Sequence, residues 1–244
     1  MRIVIKIGTS TLAYSTGHMN IRRVEEICKV ISDIKNAGNE VILVSSGAIG
    51  MGVGKLCLPQ KPTDIPTKQA AAAVGQCELM YTYDKLFSEY NQVTAQVLMT
   101  RNTIMDDLSR FNAHNTFSEL LNLGVIPIVN ENDTVSTSEI EIGDNDTLAA
   151  IVAQSVKADK LVLLSDIDGL YTADPHTDPG ATLIHRVHQL QRLVAGSGLG
   201  DLVDHAGRVV AQVVGDGIGL QTLVLLFYCS HCIIYDSTYL FSMS

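Results

Sequence analysis

Two polar clusters, Asn130-Glu131-Asn132-Asp133 and Asp144-Asn145-Asp146, concentrate carboxylates and amides in one short stretch of the chain. The first directly follows Val125-Ile126-Pro127-Ile128-Val129, a short β-branched run that predicts a buried strand. The second precedes Thr147 to Ala153, which predicts a helix with Asp144 or Asn145 as its N-cap. Asn and Asp are ordinary turn residues, so one such cluster alone fits turn chemistry. Two clusters, each abutting the end of an element, point instead to a site. Open α/β sheets build their sites where strands end and helices begin.

Two further stretches carry the chemistry of anion binding. Lys6-Ile7-Gly8-Thr9-Ser10-Thr11 closes the apolar run Ile3-Val4-Ile5. A lysine at the end of a buried strand can meet a phosphate when small neighbours let backbone N–H groups approach. A lysine whose ammonium simply reaches water fits the same pattern. Ser45 to Gly54 follows the apolar run Val41-Ile42-Leu43-Val44, giving a strand, a Gly-rich turn and a helix start. This is neither a Walker A loop nor a dinucleotide fingerprint, because the Gly-Lys-Ser/Thr and G-x-G-x-x-G spacings are absent. Cys229-Ser230-His231-Cys232 is half of a zinc site with no clear second half, and two ordinary thiols are the simpler reading.

The elements that must position these groups alternate along the chain. Asn20 to Ala37 predicts an amphipathic helix, with Ile21, Val24, Ile27, Ile31 and Ile34 on one face and Gly38 as its stop. Pro59 to Pro66 reads as a loop and Thr67 to Tyr90 as a long helix with a small-residue face at Ala70 to Ala73. Val93 to Met99 predicts a strand, Phe111 to Leu123 a helix ended by Gly124, and Lys160 to Leu164 a strand running into Ser165-Asp166. Strands alternating with helices predict an α/β fold, a mostly parallel sheet covered on both faces. Beyond Asp201, Val209 to Val214 is apolar but weakly periodic, and Leu223 to Phe227 fits a strand.

Composition narrows the function classes. A chain of 244 residues, 46% hydrophobic and 18% charged, can bury a sizeable core. A formal net charge of -9 argues against nucleic acid or an anionic membrane as the main partner. Five scattered cysteines suggest reduced thiols and hence the cytoplasm. The N-terminal apolar run is too short and too quickly polar for a signal peptide. No apolar run approaches the roughly 20 residues of a membrane helix.

Taken together, Lys6-Ile7-Gly8-Thr9-Ser10, Ser45-Ser46-Gly47-Ala48-Ile49, Ile128 to Asp146, and Ser165-Asp166 through Asp174-Pro175 resemble the amino-acid kinase family over residues 1–200. The resemblance implies a three-layer αβα sandwich around a mainly parallel sheet. It also implies phosphorylation of a carboxylate by Mg-ATP. The stretch from Asn130 to Asp146 is similar to the branch that phosphorylates the γ-carboxylate of L-glutamate, the first step of proline biosynthesis. Carried over by position, Lys6 is expected on the transferred phosphoryl group and Asp146 as the acid that orients it. Lys6, Gly8, Ser165 and Asp166 are expected at ATP. Ser46, Gly47, Asn130, Asp133 and Asn145 are expected at glutamate. Asp133 suits the substrate ammonium, and the amides of Asn130 and Asn145 can donate to a carboxylate. No protein-held metal is expected, since Mg²⁺ arrives with ATP. A homo-oligomer without nucleic-acid or membrane partners is expected.

The resemblance stops after Gly196-Ser197-Gly198-Leu199-Gly200. The family continues there with a Thr-Gly-Gly-Met…Thr-Lys segment that covers the nucleotide and supplies a second lysine. This chain continues with Asp201-Leu202-Val203-Asp204 and has no lysine after Lys160. A kinase domain at 1–200 and a divergent segment at 201–244 are therefore expected, with no room for the RNA-modification-like domain of bacterial members. The abrupt loss suggests a shifted reading frame or an altered terminus, slow turnover, and weaker order in 201–244. Two other readings remain. One is a kinase of the same fold with an acetylglutamate-type or uridylate-type acceptor, against which Asp133 argues, because such acceptors have no ammonium. The other is a weak or inactive glutamate- or proline-binding sensor, which the missing lysine favours.

Overall fold

The computed structural model describes residues 1–14, 18–135, 145–164, 172–173 and 177–182, together with the strands at 209–214 and 222–227. Five parallel strands form the body of the sheet: β1 (Arg2–Ile7), β2 (Glu40–Ser45), β3 (Thr94–Met99), β4 (Ile126–Glu131) and β5 (Lys160–Leu164). Their order is β3-β4-β2-β1-β5. Two strands of the C-terminal segment, β6 (Val209–Val214) and β7 (Thr222–Phe227), extend this sheet antiparallel, β7 against β5 and β6 against β7. The rest of 201–244, with Cys229, Cys232 and the expectation of weaker order there, lies outside the described residues.

β1, β2 and β4 are buried on both faces, which is why they read as continuous apolar runs. Ile3, Ile5 and Ile7 pack into one layer with Val24, Ile27 and Ile31 of α2 (Ile21–Asn36) and Leu79, Tyr83 and Phe87 of α4 (Ile65–Ser88). Val4, Ile42 and Val44 face the other way, onto Phe117 and Leu121 of α6 (Asp107–Asn122) and Leu148 and Val152 of α7 (Asn145–Ser155). The period-two alternation of β1 thus feeds two separate cores. The outcome is the expected three-layer αβα sandwich around a mainly parallel sheet. Shorter helices α1 (Thr9–Leu12), α3 (Ala48–Lys55) and α5 (Arg101–Met105) follow the ends of β1, β2 and β3.

Caps decide where the long helices begin. Asn20 caps α2 as its sequence suggests, its side-chain oxygen accepting from Arg23 N–H at 3.2 Å. α4 starts at Ile65 rather than Thr67, because Asp64 Oδ1 accepts from Thr67 N–H at 2.9 Å and Pro66 is tolerated in the first turn. α6 starts at Asp107 rather than Phe111, because Asp106 accepts from Ser109 N–H at 2.7 Å. α3 lies directly on α4 through two glycines. A Cβ on Gly52 would stand 1.8 Å from the carbonyl oxygen of Ala71, and one on Gly75 1.7 Å from that of Ala48. Only hydrogen fits at these positions, and the contact seats the turn that precedes α3. Among the described residues, no helix is long and apolar enough to cross a membrane.

Candidate active site

Parallel register brings the chemistry-bearing residues to one edge of the sheet. Lys6 pairs with Val44 and Ile7 with Ser45, while Val44 pairs with Val129. The carboxyl ends of β1, β2 and β4 are therefore level, and each carries a polar or charged group in its last two residues: Lys6, Ser45, and Asn130 with Glu131. Ser46 N–H donates to the carbonyl of Ile7 at 3.1 Å, tying the first two ends together. α7 begins at the same edge, so its first residues return Asn145 and Asp146 to the strands.

Asp146 meets β1. Its Oδ1 lies 2.6 Å from Lys6 Nζ, with side-chain exposures of 39% for Asp146 and 13% for Lys6. Gly8 stands beside this pair, and a Cβ there would come 3.4 Å from Lys6 Nζ. The glycine leaves open the space next to the ammonium, where a phosphate oxygen can approach.

Asn145 meets β2 and β4. Its Nδ2 lies 2.7 Å from Ser46 Oγ, 3.1 Å from Asn130 Oδ1 and 3.3 Å from the carbonyl oxygen of Ser45. A carbonyl oxygen only accepts, so the amide nitrogen of Asn145 must be the atom that faces Ser45. The same logic orients Asn130: Glu131 N–H donates to Asn130 Oδ1 at 2.9 Å. Asn130 Nδ2 then points at Gln76 Oε1, 2.9 Å away. Asn130 and Gln76 are both buried. The result is an amide network of fixed orientation, in which Asn145 Nδ2 donates both to Ser46 Oγ and to Asn130 Oδ1, and Asn130 Nδ2 donates to Gln76 Oε1. Ser45 Oγ, fully buried, also bonds the Tyr83 hydroxyl at 2.9 Å, and burial pushes that phenol's pKa up.

Gly47 holds φ at 105°, the left-handed region, and serves as the N-cap of α3. This conformation turns the chain from β2 into α3 directly after Ser46, and glycine adopts it without a Cβ clash. Asp133 lies half-buried in the turn after β4. Lys6, Gly8, Ser46, Gly47, Asn130, Asn145 and Asp146 thus share one edge. Ser165, Asp166 and Asp144 lie outside the described residues. Among the described residues, no group of three or more His, Cys, Asp and Glu is placed to hold a metal ion. Gln76 is the member of this network that the sequence reading missed. Its one signal is an amide in the middle of an otherwise small and apolar helix face.

The profile of the amino acid kinase family matches residues 1–205. The chain belongs to the amino acid kinase family. Among similar members of the family, the chain is 56% identical over 193 residues to the glutamate 5-kinase of Listeria welshimeri, covering 78% of this chain and 70% of that one. It is 54% identical over 205 residues to the glutamate 5-kinase of Listeria monocytogenes serovar 1/2a, covering 81% and 74%. It is also 54% identical over 193 residues to the glutamate 5-kinase of Clostridium perfringens, covering 78% and 72%.

Proposed function

We propose that this chain transfers the γ-phosphoryl group of Mg-ATP to the γ-carboxylate of L-glutamate, forming L-glutamyl 5-phosphate, the first step of proline biosynthesis. The observation that carries this reading is the meeting of the Lys6–Asp146 pair with the Ser46–Asn145–Asn130 chain at one sheet edge. A cation beside a glycine suits the transferred phosphoryl group. Oriented amides and a hydroxyl suit an amino-acid substrate.

The chemistry needs no general base. A glutamate side chain ionises near pH 4.3, so the nucleophile is already a carboxylate at neutral pH. The difficulty is that two anions must approach each other. Catalysis is then positioning plus charge neutralisation on the transferred group. Lys6 supplies the point charge, and Asp146 holds it. Gly8, Ser165 and Asp166 contact the nucleotide. Asp133 takes the substrate ammonium, while Asn130, Asn145, Ser46 and Gly47 hold its carboxylates. Mg²⁺ enters as part of the nucleotide substrate. Residues 1–200 form the kinase domain and 201–244 a divergent segment. The protein works in the cytoplasm as a homo-oligomer.

The test is direct. The purified chain is given glutamate and Mg-ATP with hydroxylamine, which traps an acyl phosphate as a hydroxamate. Glutamate-dependent hydroxamate matching ADP release is expected. ADP release with an unchanged background of hydroxamate would sink the reading.

A further inference from the structure

Resting on the glutamate reading above, we propose that Gln76 is a positioning residue for glutamate, acting through Asn130 and not by touching phosphate or nucleotide. Gln76 sits on α4, outside every stretch that carries the strand-end chemistry. It is 8% exposed, and its Oε1 accepts from Asn130 Nδ2 at 2.9 Å. Asn130 Oδ1 is pinned by Glu131 N–H, so Gln76 is what holds the other end of that amide. With both ends held, Asn130 Oδ1 is a fixed acceptor for Asn145 Nδ2, and Asn145 donates onward to Ser46 Oγ. Ser46 Oγ, acting there as an acceptor, keeps its own proton to give to a substrate carboxylate. Asn145 Nδ2, held as a donor by Asn130 Oδ1, thus leaves Ser46 as a donor at the substrate end, and Gln76 Oε1 is the acceptor that terminates the other end.

A second observation separates this role from packing. Gln76 Nε2 is buried and has no hydrogen-bond partner among the described residues. An unpaired buried donor is costly, and an apolar side chain of the same size would avoid that cost. Gln76 is thus a poor choice for stability at this position, and its value lies in the acceptor it turns toward Asn130. The neighbouring Gly75 fixes where that acceptor stands, because its contact with the Ala48 carbonyl sets the depth of α4 against α3.

The experiment is a pair of substitutions read by separate KM values. Gln76→Met keeps length and flexibility but removes the acceptor. Its KM for glutamate should rise on the order of tenfold while KM for ATP stays within about twofold. In an Asn130→Ala background the same substitution should add nothing further, because its effect passes through that amide. Gln76→Glu gives an independent readout without change of size. Protonated, the introduced carboxyl accepts from Asn130 as the amide does. Ionised, it sets a negative charge beside a site for an anion. KM for glutamate should then climb as pH rises through the titration of that carboxyl, which burial moves upward, while KM for ATP stays flat. An unchanged KM for glutamate in Gln76→Met, equal rises for both substrates, full additivity with Asn130→Ala, or an unaltered pH profile in Gln76→Glu would overturn the proposal. If the unsubstituted chain makes no glutamyl hydroxamate, the glutamate reading itself falls, and that result precedes any substitution.

Discussion

Lys6 Nζ stands 2.6 Å from Asp146 Oδ1, bridging the end of β1 and the first turn of α7. At this separation the ammonium and the carboxylate form a charge-assisted pair. A lysine ammonium carries three donors, so the pair holds the cation in place and leaves donors for a phosphoryl group. The two residues are therefore expected to act as a unit. Lys6→Ala should lower kcat by about 10²–10³, the scale of one lost interaction with transition-state charge. The double variant with Asp146→Ala should be little worse than Lys6→Ala alone. Fully additive losses in a kinetic double-mutant cycle would show that the two residues act independently.

Asp133 lies half-buried in the turn after β4, three residues beyond Asn130. Asp133→Ala should raise KM for glutamate far more than KM for ATP. A charge-assisted hydrogen bond contributes about 1.5–3 kcal/mol, so a rise of roughly 10- to 150-fold is expected. Steady-state kinetics with each substrate varied in turn decides it. An unchanged glutamate KM would remove Asp133 from the site.

Gly75→Ala should damage both stability and substrate binding. Its Cβ would stand 1.7 Å from the Ala48 carbonyl oxygen, which is backbone and cannot swing away. α3 must then lift from α4, and the Ser46-Gly47 turn moves with it. Overpacking of this kind costs about 1–3 kcal/mol, occasionally more. A lower melting temperature together with a raised glutamate KM is expected. Gly38→Ala is a useful contrast, since open space surrounds that position and only the φ of 87° opposes the change. It should lower stability without altering KM.

Cys28 should give alkaline unfolding a recognisable component. Burial first, and the charge of Glu25 second, push its thiol up to about 12. In the unfolded chain a thiol titrates near about 8.5. Because the folded value is the higher one, the stabilisation is complete below about pH 8.5 and declines as pH rises toward about 12. Over that window the parent chain should lose up to about 1.4 kcal/mol per pH unit more than Cys28→Ala. Denaturant melts at several pH values check it, and identical slopes would refute it. At pH 8, peptide mapping after alkylation should show Cys57 and Cys77, both exposed, labelled well before Cys28.

The absence of lysine after Lys160 makes its own prediction. A chimera carrying a Thr-Gly-Gly-Met…Thr-Lys segment and its following helix and strand after Gly200 should turn over about 10²–10³ faster than this chain. Equal kcat values would show that no second lysine is needed.

The sequence by itself determined the elements and the type of chemistry at their ends. Local rules suffice there. β-branched runs such as Val41 to Val44 must be buried, Asn20 and Gly38 bound their helix, and polar clusters at strand ends mark the working edge. The fold class followed from strands alternating with helices. Tertiary structure decided what meets what. Lys6 and Asp146 are far apart in the chain, and only the parallel register of β1, β2 and β4 with the return of α7 brings them together. The same holds for Asn145 and Ser46, and for Gly52 and Gly75, which local periodicity reads as unrelated glycines. α4 and α6 began earlier than their apolar patterns, because a cap is a hydrogen bond to the backbone and leaves no hydrophobic period. Gln76 shows the limit most clearly. Its role depends on which atom of a distant amide faces it, and that orientation is set by a backbone N–H at the end of β4 that no pattern of side chains records.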